Sequence, residues 1–101
     1  MNDDLSVWLS NEVSELLDAG SVGLYEFIWL LRSKYPEMPE EEMTSNATLA
    51  LERILECGDV YLASLRWPNE IPIAILTRAE LRGDCWRPPQ EHGAYVAVLR
   101  D

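Results

Sequence analysis

Residues 59–67 read DVYLASLRW, and the period of their apolar side chains decides the fold class. Val60, Leu62, Ser64 and Arg66 alternate with Tyr61, Ala63, Leu65 and Trp67, as expected for a strand with one buried side. The segment just before it, PEEEMTSNATLALERILECG at 39–58, has a different period. There Met43, Ala47, Ala50, Leu51 and Ile54 recur at steps of three and four, which marks one face of a helix. Pro39 suits its first position, Glu40, Glu41 and Glu42 sit against the positive end of the macrodipole, and Gly58 ends it.

Outward toward the C-terminus, AYVAVLR at 94–100 alternates again, with Tyr95, Ala97 and Leu99 set against Ala94, Val96, Val98 and Arg100. The two alternating segments are expected to pair antiparallel. Between them PNEIP is turn chemistry, and TRAELRG has the capping-box form, with Thr77 as cap, Glu80 three residues on and Gly83 as terminator. WRPPQEHG forces an irregular return to the last strand. Ile73, Ala74, Ile75 and Leu76 read equally as a short third strand or a buried loop.

Outward toward the N-terminus, Leu5, Trp8, Leu9, Val13, Leu16 and Leu17 predict an amphipathic first helix over Asp4–Ala19. Gly20 suits its C′ position and Ser21 the N-cap of a second helix, about Val22 to Lys34, which stops before Tyr35-Pro36. That second helix contains GLYEFIWLLR, apolar on every side except at Glu26 and Arg32. A helix apolar all round is ordinarily buried in the core. The alternative leaves some of Tyr25, Trp29 and Leu30 exposed as an interaction patch. Phe27, Ile28 and Leu31 are core in both cases.

With no internal repeat, low-complexity tract or linker, the chain reads as a single domain over residues 1–101 of α+β class: a three-helix bundle followed by a small antiparallel β-sheet. The order of helices, strand, long excursion and strand, carried chiefly by PEEEMTSNATLALERILECGDVYLASLRW, resembles a winged-helix domain. The resemblance implies a third helix that enters the DNA major groove and a wing that touches backbone. The third helix departs from that use, because Arg53 stands alone on it against Glu40, Glu41, Glu42, Glu52 and Glu56. Phosphate contacts need lysine and arginine.

The charge is lopsided. The net charge is −10, and residues 1–59 hold 13 acidic side chains against Arg32, Lys34 and Arg53, whereas residues 60–101 hold 5 of each sign. Such asymmetry predicts an oriented acidic face that repels nucleic acid and speeds encounter with a basic partner. The five arginines of the second half, each with a local acid to balance it, read as solvated surface.

Catalytic and metal chemistry find little support. Cys57, Cys85 and His92 match no zinc spacing, and His92 in QEHG reads as a solvent-facing turn residue. Glu52 and Glu56 share a helix side with no histidine nearby in sequence, and no glycine-rich phosphate loop is present. No catalytic residue, cofactor or metal is therefore expected, and an enzyme would require a reactive Cys57 or Cys85. Two isolated thiols and an N-terminus carrying Asp3 and Asp4 in place of basic residues point to the cytosol. The apolar run of the second helix is too short to span a membrane.

What remains is a non-catalytic protein-binding domain. Its expected contact residues are Glu40, Glu41, Glu42, Glu52, Glu56 and Asp59, with Trp67 and Trp86 as partly exposed aromatic anchors. By charge and size it is comparable to small acidic bacterial immunity proteins and antitoxins that plug the cationic groove of a nuclease toxin. A winged-helix transcriptional regulator is the alternative, and a homodimer is a further partner class.

Overall fold

A computed structural model describes residues 3–67, 71–81, 83–89 and 93–100. The order is α1 (Asp3–Leu17), β1 (Val22–Gly23), α2 (Leu24–Lys34), α3 (Glu40–Glu56), β2 (Val60–Arg66), β3 (Pro72–Leu76), two 3₁₀ turns (Arg78–Glu80 and Gly83–Trp86) and β4 (Ala94–Arg100). The three helices form one layer and the four strands an antiparallel sheet of order β1-β4-β2-β3. Residues 68–70 of the expected PNEIP turn, and the reading of His92, fall outside the described residues.

On α3 the expected face is the buried one: Met43, Ala47, Ala50, Leu51 and Ile54 all lie in the core, joined by Asn46, whose Nδ2 donates to the Glu42 carbonyl at 2.9 Å. Gly58 follows with φ +80°, a left-handed conformation open to glycine at little cost, and so ends the helix as expected.

On α1 the buried stripe is turned from the expected one. Leu5, Leu9, Val13 and Leu17 are buried but Leu16 is exposed, and Ser6 and Ser10 are buried in its stead. α1 packs chiefly against α3, whose Ala47 and Ala50 also face inward, so small side chains on both helices permit a close approach. Ser10 Oγ satisfies itself on the Val7 carbonyl at 2.9 Å.

The junction after α1 differs most from the sequence reading. α1 stops at Leu17, and the N-cap of α2 is Gly23, not Ser21. Val22 and Gly23 instead form β1, which pairs with β4 through Val22↔Val98 and Gly23↔Ala97. Val22 is thereby placed in the main core, a gain that local cap chemistry does not register. Gly23 becomes the N-cap of α2, and its N–H donates to Glu26 Oε2 at 2.6 Å.

β2 and β4 pair antiparallel along their full length, from Val60↔Arg100 to Arg66↔Ala94. β3 lies at the sheet edge, paired to β2 from Leu62↔Leu76 to Leu65↔Pro72, with a bulge that skips Ile73. Residues 72–76 are therefore a strand, and an exposed one. Beyond it, Thr77 and Glu80 form the anticipated capping pair, Thr77 N–H to Glu80 Oε1 at 2.9 Å, around one 3₁₀ turn. Gly83 opens the next turn and does not terminate the first.

The sheet departs from a strand with one buried side. Leu62 and Val98, with Val60, Val96 and Leu76, pack on the helices, but the opposite face is apolar too. There Ala63, Leu65, Tyr95 and Ala97 form a second buried cluster with Tyr25, flanked by Tyr61 and Leu99.

Candidate functional site

The solvent side of α3 collects the acidic residues. Glu40, Glu41 and Glu42 occupy its first turn, all exposed, and Glu41, Glu52 and Glu56 follow at spacings that return to one side of the helix. Among the described residues the one ion pair on this face joins Glu52 to Arg78 across 3.4 Å, both half-exposed. Exposed pairs of this kind contribute little, on the order of 0.2–1 kcal/mol. The hydroxyls of Thr44 and Thr48 donate back to the carbonyls of Glu40 and Thr44, so they do not balance the carboxylates.

Asp59 stands apart from that stripe. Arg100 Nη1 donates to Asp59 Oδ2 at 2.8 Å, while its Nη2 donates to the Ser14 carbonyl at 3.1 Å and lies 3.1 Å from Asp18 Oδ1. One guanidinium thus ties the end of β4 to the end of α1 and to the turn before β2. We expect Arg100→Ala to lower stability by about 1 kcal/mol, since the network is partly screened by solvent, and chemical denaturation would measure it. The same substitution should leave partner binding at α3 unchanged.

The two tryptophans differ. Trp67 is 41% exposed and meets Tyr95 edge to face at 6.2 Å. Trp86 is half-buried in the second 3₁₀ turn, 5.8 Å from Phe27, so much of its ring serves the main core. On α2, Tyr25 is buried, Leu30 packs against the main core, and Trp29 is 52% exposed, edge to face with Tyr25 at 4.8 Å. The stretch 23–32 is thus mainly core, with one aromatic left at its margin. Phe27, Ile28 and Leu31 are buried as expected.

A feature the sequence reading left undecided is the most exposed apolar one. Ile71, Ile73 and Ile75 precede and occupy β3, with 76%, 55% and 63% of their surfaces open. The signal was present as two isoleucines at a spacing of two, Ile73 and Ile75, but it could not say which side of the strand lacked a cover.

Neither cysteine forms a disulfide; Cys57 is exposed and its Sγ lies 3.6 Å from the Arg53 carbonyl. Among the described residues no group of histidine, cysteine, aspartate and glutamate could hold a metal ion, and no helix is long and apolar enough to cross a membrane. Comparison with protein-family models, with curated proteins and with solved structures finds no match to this chain.

Proposed function

We propose that the chain is a non-catalytic, cytoplasmic protein-binding domain whose acidic α3 surface engages a basic protein partner. The observation that carries this reading is the exposed row Glu41, Glu52 and Glu56 with Glu40 and Glu42 at its head, of which Glu52 alone meets a described cation. Held on a rigid helix, these carboxylates compete for arginines that would otherwise grip phosphate. An immunity or antitoxin-type inhibitor of a nuclease works by that chemistry.

Capture from the native host tests it. Glu41→Lys with Glu56→Lys spares the Glu52–Arg78 pair, and both positions are exposed, so the fold should persist by circular dichroism. Reversing two contact charges should cut recovery of the basic partner at least tenfold, on the order of 1.5 kcal/mol or more. Undiminished recovery would remove the acidic helix as the contact surface.

A second reading, a winged-helix regulator, draws support from the path of the chain: β1 between α1 and α2, then α3 leading into β2, with β4 between β1 and β2 in the sheet. The carboxylates on α3 oppose it. A regulator should retard genomic fragments at low salt and lose them steeply as salt rises; absence of retardation at low salt favours the protein-binding reading.

A further inference from the structure

The apolar helix α2 has more than one side to fill. Leu24, Phe27 and Leu31 go wholly into the main core. Tyr25, Ile28, Trp29 and Arg32 recur at steps of three and four, and this second stripe lines a partly enclosed pocket of about 200 Å³. Glu40 and Thr44, one turn apart on α3, form another wall. The third is the second 3₁₀ turn with its sequel, Gly83 and Trp86 to Pro88. Pro88 and Pro89 fix the backbone there and restrict Arg87 before them, so that wall is stiff.

Cations are scarce in this chain, 8 lysines and arginines against 18 acidic residues, so a guanidinium without a carboxylate is unexpected. Arg78 meets Glu52, Arg100 meets Asp18 and Asp59, and Lys34 lies over the Trp8 ring at 4.2 Å. Arg32 and Arg87 form no ion pair with a described residue, yet both line this pocket. Trp29, 52% exposed, stands beside them, held edge to face by Tyr25 at 4.8 Å.

We propose that the pocket binds a small aromatic monocarboxylate, its carboxylate held by Arg32 and Arg87 and its ring by Trp29 and Trp86. Guanidinium donors match the two oxygens of a carboxylate, and indole faces suit a planar apolar body. Size agrees. A cavity of about 150 Å³ holds benzene and a water takes roughly 30 Å³, so this volume suits one ring with its carboxylate. It falls below the roughly 300–1,000 Å³ of sites for larger ligands. Charge narrows the choice further: two guanidiniums and the Glu40 carboxylate leave a single positive charge, which one carboxylate neutralises. A phosphate dianion would set its second charge against Glu40.

Benzoate titrated into the ¹⁵N-labelled full chain tests the proposal. The indole N–H signals of Trp29 and Trp86 should shift saturably with a dissociation constant at or below about 1 mM, while those of Trp8 and Trp67, which do not line the pocket, stay. Arg32→Gln with Arg87→Gln should weaken binding at least tenfold with an unchanged circular dichroism spectrum, since both side chains are exposed. Benzamide, the same ring without the charge, should bind at least tenfold more weakly to the wild-type chain. Glu40→Gln should tighten benzoate about threefold by removing a like charge. Glu41→Lys with Glu56→Lys should keep benzoate affinity within about twofold, which separates failure here from failure of the acidic-surface reading. Absence of a saturable shift, benzamide or inorganic phosphate binding as well as benzoate, or an unaltered affinity in the arginine variant would each overturn it. So would phenylalanine binding more tightly than benzoate, or a loss of benzoate affinity in Glu40→Gln, because Glu40 would then be holding an ammonium group.

Discussion

Phe27→Ala is expected to lower the unfolding free energy by about 3–5 kcal/mol, the range for emptying an aromatic site in a packed core. Phe27 is fully buried and is the largest of the side chains with no exposed surface. It lies on α2, between the main core and the second 3₁₀ turn, with Trp86 5.8 Å from its ring. Removal therefore opens a cavity and leaves Trp86 without a wall to lean on. A domain of about 100 residues loses roughly 4–8 °C of melting temperature per kcal/mol, so a fall of about 12–40 °C should appear in a thermal scan. Trp86 fluorescence should shift red in the same variant as water reaches its indole. A loss under 1 kcal/mol would mean that the region around α2 collapses to fill the site.

Gly23→Ala should cost about 1–3 kcal/mol, although one methyl group is all that is added. The reason is not backbone freedom, since Gly23 has an ordinary φ of −66°. A Cβ on Gly23 would fall inside van der Waals contact of the Tyr25 ring. That ring has little freedom to withdraw, being buried between Trp29 and Tyr95 at 4.8 and 5.8 Å. Either the ring leaves the sheet or the end of β1 leaves β4; in both cases Glu26 loses its geometry on the Gly23 N–H. Tyr25→Ala in the same background offers a check. The methyl should cost clearly less once the ring is gone, a non-additivity that a double-mutant cycle reads directly. Equal costs in both backgrounds would place the strain elsewhere.

Both predictions concern α2, where local and long-range forces disagree. The helical period of 22–34 was legible, and so was the burial of Phe27, Ile28 and Leu31. Its start was not, because Val22 gains more by joining β4 and entering the core than by opening a helix behind a serine cap. Leu16 misled for a related reason. Its spacing on α1 fits the apolar stripe, but close packing on α3 rotates the buried side toward Ser6 and Ser10.

The candidate sites divide in the same way. Exposure of the glutamates on α3 follows from helical spacing alone, since the apolar positions of that helix leave one side for charge. Asp59 is as acidic as its neighbours in sequence, yet Arg100, 41 residues away in the chain, binds it into the framework. Likewise nothing local distinguishes Trp86, half in the core, from Trp67 at the sheet margin.

The order of the main helices and strands, the faces of α3, the antiparallel partnership of β2 with β4 and the segregation of negative charge are all legible in the residues alone. Periodicity and charge are properties of neighbours along the chain, so those could be read there. That β1 exists, that β3 is an exposed edge and that the sheet carries apolar side chains on both faces emerges from long-range packing. Each of these depends on which distant segment lies alongside, and a period of two says that a strand has two sides without saying what covers either.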